Sequence, residues 1–168
     1  MIGNVKTYMS AMALKMIFHA FFHSAMSYGI IFWGKLLHSF TIFSMQKKTI
    51  RIMESCGNRV LCRNLLKKLQ ILPLTSQYML SLLMFVFQNK NFFSTKIENH
   101  NTDTRQRNNL YLLQANLTIY QKGAYYSGIK IFNNLPLEIK NVSCKKKNLN
   151  CSEKIFICLF ILHNGRVP

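Results

Sequence analysis

From Tyr8 to Gly34 the chain is apolar but for a few polar positions, and Lys15, His19 and His23 recur there at four-residue steps. Such spacing brings side chains to one face of an α-helix. The stretch therefore predicts a long helix, Tyr8 to about Trp33, buried except along one polar edge. Gly29 is its weak point and Gly34 a natural stop. The run is long enough to cross a bilayer. A lysine and two histidines in or near hydrocarbon would cost roughly a few kcal/mol, which disfavours that use.

The same periodicity continues for most of the first ninety residues. Ser39 to Ser55 places Ile42, Phe43, Ile50 and Met53 on one side of a second helix. Ser44, Lys47, Lys48, Arg51 and Ser55 fall on another, and Cys56-Gly57-Asn58 ends it. A third helix, Leu61 to Leu69, has Leu61, Leu65 and Leu69 as its seam and Arg59, Arg63 and Lys67 as a basic stripe. Pro73 stops it, and a fourth helix, Leu74 to Lys90, is apolar nearly all round from Met79 to Phe87. That one is expected to be the most buried element. Residues 91–109 predict a long loop, and 110–120 show no clear period. Gly123 to Asn133 predicts a short helix broken at Leu135-Pro136. The expected class is mainly α: a small helical bundle over 1–90, a linker over 91–109, a loop-rich region with one short helix over 110–141, and a Lys-rich segment with a tail over 142–168.

Against this apolar framework stand 22 Lys and Arg and only 5 acidic residues, a net charge of +17. An A/T-rich coding bias inflates lysine, but it does not explain the shortage of acids. The imbalance points to a polyanion, with nucleic acid as the leading partner. Lys47, Lys48, Arg51, Arg59, Arg63, Lys67 and Lys68 are the candidate phosphate-contacting residues. The plain alternative for them is a solvated helix face.

The chemistry that the sequence excludes is as informative. Asp103 is the sole aspartate, and the glutamates at 54, 98, 138 and 153 are scattered. Two-metal phosphoryl transfer needs clustered carboxylates, so a self-contained polymerase or nuclease is not expected. His19 and His23 stand one turn apart but lack a third zinc ligand, and a polar helix edge explains them better. Five cysteines form no metal or disulfide pattern and read as reduced thiols of an intracellular, nuclear or cytoplasmic protein. No phosphate-binding glycine loop, small-molecule site, cofactor or catalytic residue is expected.

Five stretches resemble one family in its own order. They are LKMIFHAFFHSAMSYGIIFWG with MQKKTIRIM (Leu14 to Met53), CRNLLKKLQILPLTSQY (Cys62 to Tyr78), NTDTRQ (Asn101 to Gln106) and YYSGIKIFNNLP (Tyr125 to Pro136). Together they are similar to the region just downstream of the catalytic domain in non-LTR retrotransposon reverse transcriptases of the jockey-like type. The resemblance covers about Leu14 to Asn141. It implies a helical thumb and post-thumb region that holds an RNA/DNA template–primer duplex. Fingers and palm, with the Mg2+-binding aspartates, belong to the intact parent polymerase. It also implies that Tyr28, Ile30, Ile31, Phe32 and Trp33 form thumb core or a face packed on the palm. Phe132 stands where many relatives have tryptophan, and from Asn148 the tail departs from the family's ending, as in a frameshifted relic. A small basic helical protein held on membranes by residues 8–34 is the competing expectation.

Overall fold

The computed structural model describes residues 8–36, 38–57, 59–96, 109–136 and 140. Among them every regular element is helical, and the β pairing is a single antiparallel bridge between Thr95 and Leu110. The mainly α class is what the chain adopts. Two compact units form, residues up to Gln77 and residues from Tyr78, and the division falls inside a helix.

The first unit begins with α1 (Ala11–Ile17), capped by the Ser10 hydroxyl, which accepts the Ala13 N–H at 3.3 Å. Such a cap satisfies one of the orphan donors of a helix start. Helical backbone continues through a π-helical segment (Phe18–His23) into α2 (Ser24–Ser27). Gly29 then takes a left-handed φ of 60°, and α3 (Ile30–Trp33) follows. The single helix expected over 8–33 is corrected accordingly: it starts at Ala11 and is broken at the one residue with no Cβ to oppose that φ. The Trp33 indole N–H donates to the Tyr28 carbonyl at 2.8 Å and closes the break.

Burial along this segment is a narrow seam rather than a broad face. Leu14, Phe18, Met26 and Ile30 are buried at four-residue steps, with Phe22 half-buried among them. Met12, Met16, Phe21, Tyr28 and Phe32 are 75%, 61%, 70%, 86% and 82% exposed. Of the five residues expected as thumb core or as a face packed on the palm, Ile30 is buried, Ile31 and Trp33 are half-buried, and Tyr28 and Phe32 are exposed.

Next come α4 (Ser39–Met53) and α5 (Cys62–Leu69). Both end in the same turn. Cys56 N–H donates to the Arg51 carbonyl and Ile71 N–H to the Leu66 carbonyl, each at 3.0 Å, while Ser55 and Gln70 take φ of 55°. This is the six-to-one bond of a Schellman motif, which recovers carbonyls left over at a helix end. The left-handed residue after α4 is Ser55. Leu14, Phe18, Ile50, Met53, Cys62, Leu65, Leu66 and Ile71 make the core of this unit. The expected α5 seam is corrected at one place: Leu61 is exposed, because it is the extended residue before the helix, and Cys62 and Leu66 take the buried positions.

Pro73 precedes α6 (Leu74–Gln88), as its missing N–H and fixed φ predict. The start of α6 is held by Gln46 on α4, which is fully buried. Its Nε2 donates to the Leu72 carbonyl at 2.9 Å, and its Oε1 accepts the Leu74 N–H at 3.0 Å.

The second unit contains the remainder of α6, a 3-10 turn (Lys90–Phe92), α7 (Thr118–Lys122) and α8 (Ala124–Asn133). Leu83, Val86, Phe93, Leu110, Ile129, Phe132 and Leu135 form its core. α6 and α8 approach closely at Gly128, where a Cβ would lie 2.8 Å from Val86 Cγ2. The two ends of the expected long loop are tied at the Thr95–Leu110 bridge, and residues 97–108 lie outside the described residues. Asn133 fixes the same point: its side chain accepts the Leu110 N–H (2.9 Å) and donates to the Leu110 carbonyl (3.0 Å). Lys140 is buried, and its ammonium donates to Asn109 Oδ1 at 3.0 Å and to the Asn133 carbonyl at 2.6 Å. The Lys-rich segment and tail from 141 onward also lie outside the described residues.

Candidate nucleic-acid interface

The seven cations chosen from the sequence all fall on α4, α5 or the turn joining them, but they do not play one role. Lys48, Arg63 and Lys67 are exposed on the two helices, and Arg59 is exposed in the turn. The other three are partly committed to the protein. Arg51 donates from Nε and Nη2 to the Val60 carbonyl, both at 3.3 Å, and so holds the turn between α4 and α5. The Lys47 ammonium sits 4.1 Å from the centre of the Phe43 ring, in reach of a cation–π attraction. Lys68 pairs with Glu54 across the ends of the two helices. That hydrogen bond, and then the carboxylate charge, raise the Lys68 pKa above its ordinary value.

Packing between α4 and α5 brings some of these charges together. The Cys62 thiol, at the start of α5, faces the Lys47 carbonyl at 4.0 Å. Burial pushes its pKa up, and the nearby Arg51 and Lys47 charges oppose that only in part. A buried thiol held in its protonated form is a small core residue and a poor nucleophile. Glu54 is the one acidic side chain among the described residues, and Lys68 engages it. The outward faces of α4 and α5 thus carry Lys48, Arg63 and Lys67 with no described carboxylate to offset them. Such cations attract phosphate oxygens without reading bases.

No group of three or more His, Cys, Asp or Glu side chains converges on a common point among the described residues. His19 and His23 do come together, with ring centres 5.2 Å apart. Burial lowers the pKa of both; for His19 the neighbouring His23 and Lys15 lower it further, whereas a hydrogen bond with Gln77 partly restores that of His23.

Three residues with defined roles were invisible in the sequence. Gln46 lies among the polar residues of an amphipathic helix, and only its fold partner, the turn at Pro73, makes it a buried clamp. Asn133 belongs to a recognisable stretch, but its bonds to Leu110 are made across a long loop. Lys140 gave no signal at all. No single helix among the described residues is long and apolar enough to cross a membrane; α5 and α6 together, bent by 51°, pass on length and composition alone. The exposed Arg63, Lys67 and Lys68 on α5 count against that pairing as a span. No protein family model matches this chain, and no curated protein or solved structure matches it.

Proposed function

We propose that the chain is a non-catalytic nucleic-acid-binding module, corresponding to the thumb and C-terminal region of a non-LTR retrotransposon reverse transcriptase. Its ligand is the backbone of an RNA/DNA template–primer duplex. The observation that carries this reading is the exposed set Lys48, Arg63 and Lys67 on two helices packed together, with Arg59 between them and no carboxylate beside them among the described residues. Arg51, Lys47 and Lys68 support the geometry of that face as well as its charge. Catalysis and Mg2+ binding would reside in the fingers and palm of the parent polymerase.

Binding of this kind releases counterions. Affinity for a short RNA/DNA hybrid should fall steeply with salt, by roughly a thousandfold between 50 and 200 mM for about six phosphate contacts. Replacing Lys48, Arg63 and Lys67 with Gln should weaken binding and flatten the log–log salt slope by about two to three units. Replacing Lys145, Lys146 and Lys147 removes the same charge elsewhere and serves as the control. Equal losses from both triple variants would show diffuse attraction to a basic polymer and overturn the proposed face.

The exposed apolar side chains between Met12 and Phe32 favour a second reading, a small basic helical protein held on a membrane surface by residues 8–34. In the first reading that surface meets the fingers–palm body. Fractionation of the expressed chain separates the two. Release by high salt supports nucleic-acid association, whereas extraction only by detergent supports the membrane.

A further inference from the structure

Two methionines on α1 are exposed where nothing in the unit's core uses them. Met26 and Met53 are buried, as thioethers in a small core should be, but Met12 and Met16 are 75% and 61% exposed. They do not stand alone. Met12, Met16 and His19, with Lys15 and Ala20, line one shallow surface hollow of about 560 Å³. His23 continues the same row one turn further, its ring centre 5.2 Å from that of His19. The positions 12, 16, 19 and 23 follow the spacing that stacks side chains along one helix face. Both histidines lie in the π-helical segment Phe18–His23. Insertions of this kind are frequent at functional sites.

We infer that Met12, Met16 and His19 form a binding site for a soft monovalent metal ion, copper(I). Thioether sulfur selects soft ions, and imidazole completes a coordination set suited to copper. Zinc prefers nitrogen, thiolate and carboxylate donors, and among the described residues no third such donor joins the two histidines. Ala20 leaves the hollow open beside His19. Lys15 is the unfavourable neighbour, since its ammonium lines the same hollow. A monovalent ion meets half the repulsion there that a divalent one would.

Silver(I), a redox-inert stand-in of the same softness, makes the site testable on the full chain. Methionine methyl groups are labelled with carbon-13, accessible thiols are blocked with N-ethylmaleimide, and the spectrum is followed as silver(I) is added. The Met12 and Met16 signals, assigned from Met12→Leu and Met16→Leu, should move together and saturate at one equivalent. His19→Gln should weaken binding at least tenfold with an unchanged circular dichroism spectrum. Lys15→Gln should tighten it severalfold, and zinc(II) should leave both methyl signals in place. Signals that stay still at one equivalent, an unaltered affinity in His19→Gln, or an equal response to zinc(II) would each overturn the site.

Discussion

Gln46 is the only described polar side chain with no exposed surface, and both ends of its amide are used on the backbone around Pro73. Gln46→Leu preserves volume but strands the Leu72 carbonyl and the Leu74 N–H away from water. Each buried, unpaired group costs about 1–3 kcal/mol, so the variant should lose about 2–4 kcal/mol in urea unfolding. A neighbouring residue offers the opposite effect. Gln70 closes α5 at a φ of 55°, where a side chain is strained and glycine is not. Gln70→Gly should raise stability by about 1 kcal/mol, read as a higher denaturation midpoint. The Tyr78 hydroxyl is buried without a well-formed hydrogen bond, and Ser127, the hydroxyl beside it, donates instead to the Gln121 carbonyl at 3.2 Å.

Between elements, the contact of α6 with α8 depends on a glycine for distance rather than for conformation. Gly128 lies against Val86, whose branched side chain is stiff at χ1 and has little room to turn away. Gly128→Ala should therefore cost about 1–3 kcal/mol, the range for overpacking a filled core. Val86→Ala should also destabilise, by leaving space. Because each change relieves the other, the double variant should be more stable than the sum of the two predicts. A strictly additive result by thermal denaturation would mean that the helices separate to admit the methyl group. Elsewhere in α6, Leu82 is fully buried, and Leu82→Ala should lose about 2–5 kcal/mol.

For the molecule as a whole, charge sets how stability follows pH. The chain carries +17 before any histidine is protonated. Burial depresses the folded-state pKa of His19 and His23, so the unfolded chain takes up protons first as pH falls through about 6.5. Their contribution is thus present above that value and is lost below it, as pH falls toward the folded-state pKa. The urea midpoint should drop between pH 7.5 and 5, and the double variant His19→Gln, His23→Gln should flatten that drop. Moderate salt should raise the midpoint at every pH by screening the self-repulsion of so basic a chain.

Helix positions were legible because periodicity is a local property. Ser39–Met53, Cys62–Leu69, Leu74–Gln88 and Ala124–Asn133 all lie within a few residues of where the apolar spacing, Pro73 and Gly123 put them. The positions of the seven candidate cations on or between α4 and α5 followed from the same spacing. What each cation does there did not, since Arg51 meets Val60 and Lys68 meets Glu54 only after the two helices turn back on each other. Periodicity also marked the first segment as apolar without saying which apolar side was used. Tertiary packing took the narrow seam Leu14, Phe18, Met26 and Ile30 and left Met12, Met16, Tyr28 and Phe32 in solvent. The order of residues thus determined where α4, α5, α6 and α8 lie. The partner presented to each face, whether Gln46 with Leu72 or Asn133 with Leu110, was decided by the fold, because those bonds join residues 26 and 23 positions apart.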